Sequence, residues 1–234
     1  YVALTAATGL LGNISMWGYL KGQVEKPVLK ELRPLRHLKE TLVYFIPTIA
    51  TSVYTILDKT MLGWFSGENK SQNGYYEYAT GFVNMAKILI MSFNAVMSAR
   101  MSYLFGTGRM EEIHKRFQDS LDFVLLMAMP IMLGLAGIAA QFIPWFLGNG
   151  YLPVTFLMYV CSPLVLVVGL SDCIGSQILT PGGKRAQSGK VIVAGAMVNA
   201  CLNFLLIPHF AALGAAAASV AAECFITSLY LWLG

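Results

Sequence analysis

The fold is decided by the stretch YFIPTIATSVYTILDKTMLGWF, Tyr44 to Phe65. A bilayer core of about 30 Å demands roughly 20 mostly apolar residues of a helix, and this stretch meets that length while carrying Asp58 and Lys59 near its far end. At helical spacing Tyr44, Thr48, Thr51, Thr55 and Asp58 follow one another in steps of three and four, so they form one polar stripe on a greasy helix. A charged group near the bilayer centre costs about 2.5–3.5 kcal/mol on insertion scales, so the stripe is expected to face other helices or a wet cavity. A blander arrangement would also satisfy these residues: the threonines bond back to their own helix carbonyls, and Asp58 with Lys59 lies in the headgroup zone. The sequence leaves both open.

The rest of the chain has the same character. Of 234 residues 56% are hydrophobic and 12% charged, against about 25% charged in a soluble domain, and the mean hydropathy is +0.62. This is the composition of an integral membrane protein. The formal charge of +4 is therefore read by position along the chain; no basic block interleaved with aromatics lies outside the loops, and no nucleic-acid partner is expected. Cys161, Cys173, Cys201 and Cys224 sit inside apolar segments without a C-x-x-C pair and read as small hydrophobes. The chain opens on Tyr1 directly into an apolar segment with no basic region before it, so no signal peptide is expected there, and an upstream portion of a longer protein is.

About seven spans are expected. Val2–Leu20 is the first, followed by the connector KGQVEKPVLKELRPLRHLKE with six Lys/Arg in twenty residues. The second runs from about Thr41 to Phe65, with a kink expected at Pro47, and SGENKSQNG follows as a surface loop. The third, about Tyr75–Leu104, contains Lys87; the fourth, about Ser120–Leu147, contains Pro130, Gly134, Gly137 and Pro144. The fifth, about Val154–Leu179, carries Pro163 and Asp172; the sixth runs from about Val191 to Ile207 and the seventh from about Leu213 to Gly234. Loops after spans one, three and five are rich in Lys and Arg, and those after two, four and six hold only Lys70, balanced by Glu68. The positive-inside rule then puts the amino end outside and the carboxyl end inside.

Polar stripes recur. Span three carries Thr80, Asn84, Lys87, Met91, Asn94 and Ser98; span five Ser162, Gly169, Asp172 and Ser176; span six Asn199 and Asn203; span seven Ser219, Glu223, Thr227 and Tyr230. So many stripes point to a hydrated internal surface. Span four lacks one and is expected at the periphery. Gly134, Gly137, Gly195, Gly214 and the run Ala215 to Ala218 are expected where helices pack closely.

Enzyme signatures are missing from the sequence. TPGGKRAQSGK has no G-x-x-x-x-G-K-[ST] pattern and no strand before it, His37, His114 and His209 lie far apart at loop edges, and Glu111, Glu112, Asp119 and Asp122 cluster at one helix start, where they suit the helix dipole. No enzyme, cofactor or metal site is expected.

Four stretches together resemble a known family: LKETLVYFIPTIATSVYTILDKTMLGWFSG, YYEYATGFVNMAKIL, ARMSYLFGTGRMEEIHK and PGGKRAQSGKVIVAGAMVNACLNFLLIPHFAALGAAAAS. They are similar to the carboxyl-terminal half of polysaccharide-biosynthesis flippases, the O-antigen and capsule-repeat exporters of the multidrug/oligosaccharidyl-lipid/polysaccharide superfamily. The resemblance implies an all-α, polytopic transmembrane helical bundle, a MATE-like half transporter. Residues 1–20 would be the last helix of a front bundle, 21–40 a basic cytoplasmic linker, and 41–234 a complete six-helix rear bundle. It implies an undecaprenyl-diphosphate-linked oligosaccharide as substrate, carried from the inner to the outer leaflet of the cell membrane by alternating access, with membrane lipids and other polysaccharide assembly proteins as further partners. By matching position, Lys87, Arg100 and Lys59 are the cavity cations, with Asn84, Asn94, Asp58, Asp172 and Glu223 as further substrate-binding candidates. The chain departs from the family where proline often precedes the arginine ending span three; here Ala99 precedes Arg100.

A lysine in a low-dielectric cavity suits a diphosphate, since at an effective dielectric of about 20 two unit charges 4 Å apart attract by about 4 kcal/mol. Structural roles remain for each cation: Lys87 paired with Glu223 or Asp172, Arg100 as a topology anchor, Lys59 as an outer-edge partner of Asp58. Asp172 and Glu223 also keep a cation-coupled drug exporter of the same superfamily in view, and the sequence leaves coupling to H+ or Na+ open. A membrane glycan polymerase or ligase, which would need a long outer loop, fits the short loops poorly.

Overall fold

The computed structural model describes residues 2–19, 38–65 and 71–234. The basic connector and the loop of 66–70, on which the topology reading partly rests, lie outside the described residues, as does the side chain of Tyr44. The chain divides into two compact units, 1–40 and 41–234. In the first, α1 (Val2–Tyr19) is an apolar helix with Leu4, Leu10 and Leu11 exposed. The second holds α2 (Leu38–Phe65, which begins just before it), α3 (Ser71–Gly106), α4 (Met110–Phe146), α5 (Leu152–Cys161), α6 (Leu164–Ile174) and α7 (Arg185–Leu233). A turn of 3₁₀-helix, Asn149–Tyr151, precedes α5, and a π-helical turn, Gly175–Leu179, follows α6. There is no strand among the described residues.

Four stretches are long and apolar enough to cross a membrane: 71–106, 110–146, 149–179 and 185–233. The last has 49 residues and would be about 74 Å long if straight, more than twice a hydrocarbon core. It doubles back instead. Ala211 takes φ 46° and ψ −126°, and around it a Cβ on Gly214 would stand 2.5 Å from the Leu206 carbonyl oxygen. Further along, a Cβ on Gly195 would meet Ile226 Cγ1 at 2.3 Å. The arms 185–210 and 212–233 pack closely at Gly195, and Gly214 lies close against the backbone of the kink, the close packing expected of both. At Gly134 and Gly137 a Cβ would meet nothing within 4 Å among the described residues.

The stretch 149–179 is broken in its middle, and the break is chemically tidy. Pro163 has no N–H to offer the carbonyl of Tyr159 four residues back, and the Ser162 hydroxyl donates to that carbonyl at 3.1 Å. The main core lies where α3, α4, α5 and α6 meet, around Val83, Ile90, Val124, Leu157, Met158 and Val165. α4 belongs to it through Val124, Ala128, Ala139 and Ile143, while Leu126 and Leu133 face outward; the expected peripheral helix is packed along one face and open along the other.

Polarity is arranged inside out. Leu89 is 71% exposed and Asp58 2%, with Asn94, Gln177, Asn199 and Asn203 fully buried. Water would drive the opposite sorting; a hydrocarbon surround with polar groups paired internally accounts for this one. The chain is an all-α, multi-pass membrane protein.

Candidate functional site

The polar stripes of α2, α3, α6 and both arms of α7 converge on two adjoining chambers. The larger, about 470 Å³, runs toward the π-helical turn and the start of α7; the smaller, about 260 Å³, runs toward Asp58 and Tyr76. They share Tyr54, Lys87, Val168 and Glu223, which form the neck between them. In the neck the Tyr54 hydroxyl donates to Glu223 Oε1 at 2.8 Å. Lys87, half-buried, opens onto both chambers, and no ion pair involves it among the described residues. The expected pairing of Lys87 with Glu223 or Asp172 is thus not formed as a contact; each of those carboxylates has a neutral donor instead.

Asp58 faces other helices, the first of the two expectations, and lines the smaller chamber. Its Oδ2 accepts from the Tyr76 hydroxyl at 3.0 Å and the Ser219 hydroxyl at 2.9 Å, and Oδ1 accepts from Asn203 Nδ2, which also donates to Asn199 Oδ1 at 2.9 Å. The carboxylate ties α2 to α3 and to both arms of α7. Lys59, one residue on, pairs with Glu77, and these two exposed side chains line the smaller chamber along with Asp58. The Asp58–Lys59 pair is not formed: adjacent residues on a helix diverge by about 100°, and each takes a partner of its own. The threonines of the same stripe do bond back, Thr51 to the Pro47 carbonyl at 3.0 Å and Thr55 to the Thr51 carbonyl at 2.9 Å.

Asn94 is fully buried rather than cavity-lining. Its amide donates to the Gly169 carbonyl at 3.1 Å and to Asp172 Oδ2 at 3.0 Å, and it accepts from Gln177 at 3.1 Å, knitting α3 to α6 and the π-helical turn. Asp172 itself lines the larger chamber, Asn84 the smaller, and Glu223 both. Arg100 is exposed and lines neither of these two chambers. Sequence reasoning missed Tyr54, Tyr76 and Arg185. Tyr54 stands three residues after Thr51 and four before Asp58, so the stripe's own period contained it; Arg185 was hidden among loop charges. Among the described residues no three His, Cys, Asp or Glu side chains gather as a metal site would require.

Residues 14–156, more than half of the chain, match the polysaccharide biosynthesis protein family. The chain belongs to that family. A relative in Escherichia coli (strain K12), named as a candidate O-antigen transporter, is 26% identical over 211 residues, covering 90% of this chain and 50% of that protein. Among solved structures, the lipid II flippase MurJ in an inward closed conformation matches with a TM-score of 0.71 at 17% identity, over 96% of this chain and 49% of that one. The chain thus spans about half the length of each, and the second likeness bears on the fold alone. The fold of the chain matches about half of that solved structure.

Proposed function

We propose that this chain forms the rear half of a flippase that carries an undecaprenyl-diphosphate-linked oligosaccharide from the inner to the outer leaflet of a bacterial plasma membrane for cell-surface polysaccharide synthesis. Family membership and the name of the Escherichia coli relative support the class of activity. The observation that carries it to this site is Lys87, a half-buried cation in the neck of a polar passage. A cation kept at membrane depth without an ion-pair partner is costly unless a ligand uses it, and a diphosphate is such a ligand. On this reading α1 and α2 also cross the membrane, and the two arms of α7 make two crossings, for seven in all. Lys87 and Glu223 belong to the passage, Asn84 and Asp172 to its walls, and Asp58 and Asn94 hold the walls together.

Three internal carboxylates, Asp58, Asp172 and Glu223, favour one other reading, a cation-coupled exporter with the same fold. Leaflet-resolved accumulation of the lipid-linked glycan, compared between the full-length wild type and Lys87→Ala at matched membrane abundance, separates the two. Build-up in the inner leaflet of the mutant is expected. Equal crossing in wild type, mutant and deletion strain would sink the flippase reading and send attention to organic-cation efflux.

A further inference from the structure

Besides the two chambers, α2 and the first arm of α7 frame a groove of about 530 Å³ on a different face of the arm. Its floor is the contact of Pro47 with Gly189, both buried: a Cβ on the glycine would stand 2.7 Å from Pro47 Cγ. Its walls are Leu42 and Ile46 of α2 and Val193 and Met197 of α7. Ala186, Gly189, Val193 and Met197 follow one another at steps of three and four, so the groove runs along one face of the arm. From 186 to 197 the arm rises about 16 Å, the depth of one leaflet in a hydrocarbon core of about 30 Å. A single charged side chain lines the groove, Lys190. It is exposed and makes no hydrogen bond or ion pair among the described residues. The neighbouring cations turn elsewhere: Lys184 Nζ donates to the Leu233 carbonyl at 2.6 Å, and Arg185 lines the larger chamber. No acidic residue stands between Asp172 and Glu223 in the sequence, so no local acid neutralises Lys190.

We infer that this groove is a binding site for an anionic phospholipid of the inner leaflet, with one acyl chain lying against Pro47 and Val193 and the phosphate meeting the Lys190 ammonium. By the positive-inside rule the lysine- and arginine-bearing start of α7 is its inner end. Lys190 therefore stands near the inner headgroups, within reach of a long side chain that rises toward them, and a cation there attracts anionic lipid. The depth of the groove selects the occupant: an apolar furrow one leaflet deep suits a phospholipid chain, whereas a partner helix would need a matching face across the whole bilayer. The lipid is also a different molecule from any cargo in the larger chamber. Thr51, whose hydroxyl donates to the Pro47 carbonyl at 3.0 Å, and Ser188, beside Gly189, line that chamber from the other side of the Pro47–Gly189 contact. The contact stands between the two spaces, and a chain in the groove braces it. The site thus holds whether or not the flippase reading does.

The test is lipid binding to the delipidated full-length protein in detergent, read by native mass spectrometry, with dioleoyl phosphatidylglycerol, dioleoyl phosphatidylcholine and undecaprenyl phosphate as probes. Wild type is expected to bind phosphatidylglycerol roughly fivefold more tightly than phosphatidylcholine. Lys190→Gln should abolish that preference and leave phosphatidylcholine unchanged, and Lys190→Arg should keep it. Val193→Trp, which fills the groove, should weaken both phospholipids together. The surface change at Lys190 keeps the test decisive if the tryptophan variant fails to fold. A preference for phosphatidylglycerol that survives Lys190→Gln would overturn the assignment of the phosphate. Wild-type binding of both phospholipids by a folded Val193→Trp would show that no chain enters the groove. Undecaprenyl phosphate displacing phosphatidylglycerol in a Lys190-dependent way would give the groove to the cargo's tail, and a lipid-free dimer lost in Val193→Trp would give it to a second copy; either overturns the phospholipid site.

Discussion

Tyr54 of α2 and Glu223 of the second arm of α7 meet hydroxyl to carboxylate at 2.8 Å, and both, like Lys87, line the two chambers. The two residues are 169 apart in the chain. A hydrogen bond to a charged group contributes about 1.5–3 kcal/mol. Tyr54→Phe is therefore expected to destabilise the protein by an amount in that range, and the loss should shrink on a Glu223→Gln background. A double-mutant cycle read by denaturant unfolding in detergent measures the coupling; additive single effects would show that the pair does not act together.

Asp58 and Lys59 are neighbours with opposite fates. Asp58→Ala removes the shared buried acceptor of Tyr76, Ser219 and Asn203 at once, a loss on the order of 3–5 kcal/mol. Lys59→Ala breaks only an exposed pair with Glu77, and roughly 0.2–1 kcal/mol is expected. Thermal unfolding of the two variants should separate them widely. Similar, small losses would show that the hydrogen bonds to Asp58 do not hold the helices together.

How much of this was legible in the sequence depends on the kind of feature. The membrane class and the helical stretches follow from composition and period, because lipid leaves the backbone few alternatives. The polar stripes also pointed the right way, since Asp58, Lys87, Asp172 and Glu223 do turn inward. Partnership was not legible. Asp58 could be matched to Lys59 by adjacency, yet its partners lie 18, 145 and 161 residues away, and nothing local marks them. Arg185 shows the same limit from the other side: in the sequence it is one of several basic loop residues, and only the turn of α7 separates it from Lys184 and Lys190.

The break between α5 and α6 offers a test of local chemistry. Ser162 supplies the hydrogen bond that Pro163 denies to the Tyr159 carbonyl. Ser162→Ala should cost about 1 kcal/mol, and on a Pro163→Ala background, where the backbone N–H is restored, the cost should largely vanish. Unfolding midpoints of the two singles and the double decide it. An unchanged cost on the alanine background would mean that the serine acts through another contact.

The hairpin of α7 carries the sharpest steric expectation. Gly195 lies so close to the second arm that a methyl group would stand 2.3 Å from Ile226 Cγ1 and 2.4 Å from Cδ1. In a helix, glycine to alanine alone is favourable by about 1 kcal/mol, and overpacking costs about 1–3 kcal/mol, so the sign depends on whether Ile226 can yield. It packs against Ile174, Leu179, Val191 and Tyr230 in its own buried cluster, which leaves its side chain little room to swing away. Gly195→Ala is therefore expected to destabilise, Gly195→Val more so, and Ile226→Ala to relieve the Gly195→Ala variant despite its own cavity cost. Both arms also wall the larger chamber, through Arg185 and Ser188 on one and Glu223 and Tyr230 on the other. A wedge at Gly195 should thus reduce transport along with stability, and Ile226→Ala should restore the two together. Transport that stays low after stability has recovered would separate arm spacing from simple folding as the cause.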